Sequence, residues 1–500
     1  MIINRTILIY NNEPYAKMEK IELQVSDPDI IVIGMNGPIQ AQIEPYFDAT
    51  SGEFTKNYLL VFFTFLNALS FIHCTIQKDH SATTEIAQIL TPIKLSRVIK
   101  SISKDFHFET VSKNEFVLQS SQILVELNPK NGLLEAINLS AATNGTERLQ
   151  CKQEFSYYTS SLSGAYIMTL ENEELRKLEM GDVETFIVLG SLRQTVYTLS
   201  EFIKQHISVN NVSGAEESHL HMDLRVDIRK MSGVELIIKF STDMIPDDIE
   251  YYTDSNGLQL IKRAEYDTFS RPEMNYYPMP TALVLQDLSK RLSVLSNVPH
   301  GVRTSNKMNF EIMLDRRLSA DDGKGLGFSA DGIPEDNLPV NMAFTFVLER
   351  MVPVTDKQQQ QQRKFAYNTL NAHLALQSLI YQPNIFIISG ILENSISLQH
   401  LRSFPCDVQL LTIRPLAFDI NRRLMVLHRA GIDCASSSLP ICRGNELDLT
   451  LKAYMQSIGV RTVQKTLLNG IKQISKEMPY HSATFFLEPT DFAAYLLRFN

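Results

Sequence analysis

Cysteine is scarce in this chain, five in 500 residues, which is too few to build a disulfide scaffold. No two of the five form a CxxC pair, so a cysteine zinc site is set aside. Long apolar runs are missing as well. The most apolar stretch, Tyr58 to Ile72 (YLLVFFTFLNALSFI), contains Asn67 and is short for a membrane span. It reads as buried strands paired in a hairpin. Basic clustering is absent: the formal net charge is -9 and is spread along the chain, which excludes a nucleic-acid footprint and a membrane-binding basic stripe. The start, MIINRTILIYNNEP, shows no charged region followed by an apolar run and a small-residue cleavage site, so no secretory signal is visible. No Gly-rich phosphate loop, HExxH, GxSxG or 20-to-50-residue repeat occurs.

What is present is the composition of a packed globular protein, 44% hydrophobic and 21% charged, long enough for two to four domains. The spacing of turn signals (NNEP, SDPD, NGP, SGE) predicts a small β-sandwich over 1–78, with strands Thr6–Tyr10, Lys20–Val25, Ile30–Ile33 and Ala41–Glu44. Residues 79–112 read as a connector with a helix over Thr83–Leu90. A large antiparallel β-sandwich is expected over 113–352. Its first hairpin joins Ile123–Leu127 to Leu133–Leu139 through NPKNG, where Gly132 supplies the positive φ of the turn. From His219 to Lys230, Leu220, Met222, Leu224, Val226 and Ile228 alternate with polar residues, the mark of a strand with one dry face. A Ser232-Gly233 turn returns the chain along Val234–Phe240. Further strands are expected at Gly257–Lys262, Ala282–Asp287, Leu292–Leu295, Asn309–Asp315 and Met342–Glu349. The glutamine tract within 353–365 is read as a solvated linker. Residues 366–500 form a third, β-rich domain, with a helix over Asn368–Tyr381 and strands at Asn384–Ser389, Val408–Ile413, Met425–His428, Thr484–Leu487 and Ala494–Arg498.

The densest polar cluster is LDRRLSADDGKGLG, Leu314 to Gly327. Glycoside hydrolysis needs two opposed carboxylates, and adjacent Asp321 and Asp322 are poorly placed to flank one bond. Holding a loop or rimming a sugar suits them better. His219 and His221 share one strand face at a spacing metals use, but with Asp223 as the nearest third ligand a solvated face is favoured. The pairs Tyr157-Tyr158, Tyr251-Tyr252 and Tyr276-Tyr277 fit sugar stacking or, more simply, strand packing. Asn4, Asn138, Asn144 and Asn211 head N-glycosylation triplets and are equally compatible with unmodified surface residues. Cys434 and Cys442 are close enough for a local disulfide, whereas Cys74, Cys151 and Cys406 read equally as buried apolar thiols.

Several segments resemble glycoside hydrolase family 38, nearest its Golgi α-mannosidase II branch: YYTDSNGLQLIKR (Tyr251 to Arg263), NYYPMP (Asn275 to Pro280), and LDRRLSADDGKGLG with Glu311 before it. PCDVQLLTIRPL (Pro405 to Leu416), VLHRAGIDC (Val426 to Cys434), LEPTDFAAYLLRF (Leu487 to Phe499) and ILIYNNEP (Ile7 to Pro14) extend the likeness across most of the chain. The resemblance implies the C-terminal, β-rich half of a zinc-dependent, retaining α-mannosidase acting on N-glycans, with a galactose-mutarotase-like supersandwich and no catalytic α/β barrel. The family's nucleophile, acid/base and zinc ligands belong to an N-terminal half. The zinc motif, HxDPGW-like, needs tryptophan, and this sequence has none. Zinc is thus expected in the full-length family enzyme and none on this chain.

Two family positions carry over. Tyr166, in SGAYIM (Ser163 to Met168), matches the tyrosine that reaches the mannose site. Lys324 stands where DDxRGLG usually has arginine, keeping the charge and losing the forked donor geometry. The resemblance further implies a mannose-containing N-glycan as partner, the N-terminal catalytic half in cis or trans, a Golgi or secretory-pathway lumen, and inactivity of the chain alone as an incomplete polypeptide. A second reading is a stand-alone, non-catalytic carbohydrate-binding or scaffold protein descended from the enzyme.

Overall fold

A computed structural model describes residues 5–79, 84–92, 98–112, 116–140, 147–160, 162–245, 250–266, 271–305, 308–319, 321–327, 338–351, 367–388, 402–416, 419–433 and 446–499. The fold is mainly β, built from several sheets in sandwich style, with no α/β barrel among the described residues. The chain divides into two compact units. One gathers residues 1–41, 61–84 and 366–500, and the other residues 42–60 and 85–365. This differs from the serial division read from the sequence, and backbone pairing gives the reason. Strand Arg5–Tyr10 lies between Phe71–Lys78 and Asn384–Ile388, antiparallel to both. The first and last segments therefore share a sheet. The glutamine tract lies outside the described residues.

The larger unit is the expected two-sheet sandwich. One sheet runs, in spatial order, Phe108–Thr110, Gln88–Thr91, Glu184–Leu189, Arg193–Leu199, Ile203–Asn210, His219–Val226, Val340–Arg350, Lys290–Ser296, Ala282–Gln286, Glu250–Ser255 and Gln259–Ala264. The other runs Val117–Gln119, Ile123–Leu127, Leu134–Leu139, Glu147–Thr159, Val234–Thr242, Asn309–Arg317, His300–Ser305 and Tyr277–Met279, with Arg176–Lys177 added on Glu147–Thr159. Alternation explains the core. Leu220, Met222, Leu224 and Val226 from the first sheet join Val125, Ile137, Phe155, Phe240 and Phe310 from the second in one dry cluster. Phe240 stacks on Phe310 with centroids 4.8 Å apart and meets Phe346 edge-on at 5.3 Å. Each such side chain contributes about 1.5–3 kcal/mol by leaving water.

The NPKNG turn forms as its residues require. Gly132 has φ of 66° and donates its N–H to the Asn128 carbonyl at 2.7 Å, while Asn128 Oδ1 accepts from Lys130 N at 2.9 Å. Position 132 is closed to larger residues on a second count: an added Cβ would lie 2.1 Å from Thr198 Oγ1. Gly233, in the other expected turn, has φ of 62°.

Three expectations are corrected. The helix over Thr83–Leu90 is replaced, in its described part, by strands Glu85–Ile86 and Gln88–Thr91. The latter pairs with Glu184–Leu189, so inter-strand bonding overrides the local pattern. The apolar stretch from Tyr58 is not a hairpin: Glu53–Leu66 is one long strand, and Phe71–Lys78 belongs to another sheet. Thr484–Leu487 is not a strand. Its alternation is real, with Phe485 and Leu487 buried and Phe486 exposed, but Phe485 N bonds to the Asp448 carboxylate at 2.8 Å and the segment pairs with no strand among the described residues.

A buried polar network fastens strand Ala41–Asp48 within the larger unit. Arg193 grips Glu44 with two bonds, Nη2 to Oε2 at 2.6 Å and Nε to Oε1 at 2.9 Å. Gln42 bonds Glu44, the Arg193 carbonyl and Leu192 N. In the other unit, helix Leu370–Ile380 is N-capped by Thr369, whose Oγ1 accepts from Ala372 N at 3.1 Å. A sheet in the order Val408–Leu416, Asp419–Arg429, Phe492–Phe499, Val460–Thr466 and Met478–Pro479 packs against helix Leu447–Ser457.

Candidate functional site

The SGAY segment and the DDGKGLG segment are more than 150 residues apart in sequence and adjoin in space. Strand pairing brings them together. Glu147–Thr159, Val234–Thr242 and Asn309–Arg317 are consecutive in the sheet, with Tyr158 opposite Glu235 and Glu235 opposite Arg316. Each loop then leaves the same end of its strand. Arg316 makes a bidentate pair with fully buried Glu235, Nε to Oε2 at 2.8 Å and Nη2 to Oε1 at 2.9 Å. Its guanidinium also donates to the Ala165 carbonyl at 3.4 Å and the Ile167 carbonyl at 3.2 Å. This is the fork geometry that a lysine does not reproduce.

Asp322 completes the clamp. Its Oδ2 accepts from Ala165 N at 3.1 Å, and its Oδ1 accepts from Lys324 N at 3.1 Å. Asp321 Oδ1 accepts from Gly323 N at 2.9 Å. Both carboxylates are thus spent on backbone N–H groups, the loop-holding role read from the sequence. Gly164 must lack a side chain here, because an added Cβ would lie 2.2 Å from Asp322 Oδ2. A turn closes from Gly164 N to the Ile167 carbonyl at 2.9 Å. Within it the Tyr166 side chain is 78% exposed, on a backbone tied at Ala165 and Ile167. Lys324 is exposed on the partner loop.

Beneath the SGAY loop sits a polar cluster that the sequence did not assemble. Tyr158 and Tyr276 both donate their hydroxyls to Glu311 Oε2, at 3.0 and 2.9 Å. Arg303 Nε lies 4.0 Å from the same oxygen. Burial, and then the neighbouring Glu311 charge, push both phenols well above their ordinary range, so they remain protonated donors. Tyr158 packs with Leu170 and Ile237, anchoring the loop's far end. Arg271, paired with Glu273 at 2.7 Å, donates to the Leu170 carbonyl. The tyrosines Tyr158, Tyr251 and Tyr276 therefore serve packing and hydrogen bonding, with Tyr251 1% exposed and Tyr277 carrying Arg263 at 5.0 Å over its ring.

The two histidines depart from a plain solvated face. His219 is buried and His221 half-buried, because the short 3₁₀ turn Ala215–Ser218 folds beside them. The third group near them is Glu216, not Asp223. Burial opposes ionisation of Glu216, but hydrogen bonds from His219 and His221 outweigh it and hold the carboxyl well below the usual range.

Asn138 donates its side-chain amide to the Leu124 carbonyl and to Glu126, whereas Asn211 is exposed, its side-chain amide donating to the Ser191 carbonyl. Asn4, Asn144, Cys434 and Cys442 lie outside the described residues. Cys74 and Cys151 are free thiols, and Cys406, read as an apolar thiol, is disulfide-bonded.

Residues 118–324 match the glycosyl hydrolases family 38 C-terminal domain, an interval that includes Tyr166 and closes on Lys324. The match makes this interval similar to the C-terminal region of glycoside hydrolase family 38 proteins. Its likeness is to the alpha-mannosidase 2 branch. It is 25% identical over 518 residues to alpha-mannosidase 2x of Mus musculus, covering 99% of this chain and 44% of that protein. It is 24% identical over 454 residues to alpha-mannosidase 2 of Homo sapiens, covering 87% and 38%. The Drosophila melanogaster alpha-mannosidase 2 is 27% identical over 429 residues, covering 77% and 35%. The chain thus spans less than half the length of these relatives. A solved family 38 protein from Enterococcus faecalis shares the fold, with a TM-score of 0.55 at 10% identity over 99% of this chain and 58% of that one.

Proposed function

We propose that the chain acts as the C-terminal β-region of an α-mannosidase that cleaves α-mannosyl linkages of N-glycans in the Golgi or secretory pathway. It would shape the sugar site and brace a catalytic half supplied in cis or trans. The observation that carries this reading is the clamped turn that presents Tyr166. Asp322 and Arg316 hold the backbone on both sides of a phenol that stays in water. A phenol can donate to a sugar hydroxyl or carboxylate and can accept in return. Holding its backbone fixed lowers the ordering cost of that contact.

Family resemblance points to zinc and an opposed carboxylate pair for the chemistry. The residues present do not fit that centre. The sequence contains no tryptophan for the zinc motif, and Asp321 and Asp322 are committed to backbone hydrogen bonds. No bond-breaking step is therefore assigned to this chain. No described helix is long and apolar enough to cross a membrane.

The test combines the purified chain with the catalytic half of a family 38 enzyme and follows hydrolysis of an aryl α-mannoside. The proposal expects turnover by the combination that falls at least tenfold with Tyr166→Ala. Equal turnover by the two would overturn the role of Tyr166. Mannoside binding by the chain alone, without productive pairing, would favour the stand-alone carbohydrate-binding protein.

A further inference from the structure

Among the described residues, one cluster sets a carboxylate and two imidazoles around a common point, and it lies in a motif the mannosidase reading does not use. Glu216, His219 and His221 offer one ligand atom each, all within 4.8 Å of one another. His221 Nε2 is 3.2 Å from Glu216 Oε2, and His219 Nδ1 is 3.7 Å from Glu216 Oε1. A tetrahedral zinc ion with bonds of about 2.0–2.1 Å separates its ligand atoms by roughly 3.3 Å. Small side-chain rotations thus bring the three onto one ion.

The surrounding groups favour this occupant. Thr345 Oγ1 sits 3.3 Å from His221 Nδ1. That contact orients the ring and, with Nδ1 protonated, leaves the Nε2 lone pair facing Glu216, the outer-shell arrangement that metal-bound histidines use. In that tautomer the two electron-rich atoms, 3.2 Å apart, can share a metal ion where the other tautomer places a proton. Asn210 is 1% exposed, and its side-chain nitrogen lies 3.0 Å from Glu216 Oε2 and 3.3 Å from His221 Nε2. Its Oδ1 is buried and lacks a hydrogen-bond partner among the described residues. With the amide turned over, Oδ1 faces the same point as a fourth donor. Two imidazoles with oxygen donors suit zinc or a similar first-row ion.

We propose that Glu216, His219 and His221, with Asn210 beside them, form a binding site for a divalent transition metal, with zinc the best match. The ion would tie the 3₁₀ turn Ala215–Ser218 to strand His219–Val226. The site goes beyond the proposed glycosidase role and is independent of it.

The experiment uses the purified chain, stripped with a chelator and dialysed against zinc. Metal content is measured by mass spectrometry and coordination by the visible spectrum of the cobalt form. One zinc per chain and a tetrahedral cobalt spectrum are expected. Glu216→Gln and His221→Gln should abolish both while circular dichroism is unchanged, and Asn210→Ala should weaken binding about tenfold. Metal content well below one per chain would overturn the site. So would unchanged content in the Glu216 and His221 variants, or an NMR spectrum showing a protonated His221 paired with Glu216 in excess zinc. Should a catalytic half with its own zinc be present, the variants should remove one ion of the total and leave mannosidase turnover unchanged.

Discussion

Asp322 Oδ2 accepts the backbone N–H of Ala165 at 3.1 Å, joining two loops 157 positions apart in the chain. This single contact makes the placement of Tyr166 depend on a residue in the DDGKGLG segment. Asp322→Ala should cost only about 0.5–1.5 kcal/mol of stability, the usual worth of a hydrogen bond. It should nevertheless raise hydrogen exchange at residues 164–167 sharply. Gly164→Ala should act in the same direction, because its new Cβ would press on the Asp322 carboxylate. Exchange-mass spectrometry of both variants checks this, and protection equal to wild type would refute it.

The Glu44–Arg193 pair is almost wholly dry, its side chains 0% and 6% exposed. Removing one partner strands a buried charge. Arg193→Met should therefore destabilise the larger unit by about 3–5 kcal/mol. The double variant Glu44→Leu with Arg193→Met should recover much of that loss. Urea unfolding of the two variants measures the difference, and an additive double variant would contradict it.

Glu13 gives the smaller unit a pH dependence. Burial raises its carboxyl from the ordinary 4.5 to about 7, and Lys17 only partly offsets this. The folded state thus holds the proton more tightly than the unfolded state. Stability from this group is fully present below about pH 4.5 and is lost as pH rises through 7. The loss is on the order of 3 kcal/mol. Glu13→Gln should flatten the profile and stabilise the unit at pH 8. Calorimetry at pH 5 and pH 8 tests this, and a variant as pH-sensitive as wild type would count against it.

Cys406, which is disulfide-bonded, should resist alkylation in the unreduced protein and react once a reductant is added. Its replacement by serine should lower stability by about 2–4 kcal/mol under oxidising conditions and change nothing under reducing ones. Alkylation of Cys406 without reductant would reverse the assignment.

The sandwich was legible because its strands carry their own marks. Strict alternation from Leu220 to Val226 names a dry face, and the NPKNG turn names a hairpin. Glu250–Ser255 escaped notice because EYYTDS is polar at most positions, and its stability comes from pairing with Gln259–Ala264. Tyr166 and Lys324 were identified through family motifs, but nothing local showed that Asp322 and Arg316 connect them. The Glu311 cluster was hidden for the same reason, since Tyr158, Tyr276 and Glu311 meet only through strand order. Glu216 carries no mark of strand period two, because this residue comes from the turn before the strand.

The position of Arg5–Tyr10, paired on both sides in its sheet, has a consequence for synthesis. Its partner Asn384–Ile388 emerges from the ribosome about 370 residues later. At cellular rates of elongation that is a wait of tens of seconds. Through that interval the young chain carries an unsealed strand rim, a template for wrong partners, while the intervening residues are free to collapse first. A holdase chaperone captured on ribosome-bound chains should therefore dwell on Arg5–Tyr10 and depart once residue 388 has cleared the exit tunnel.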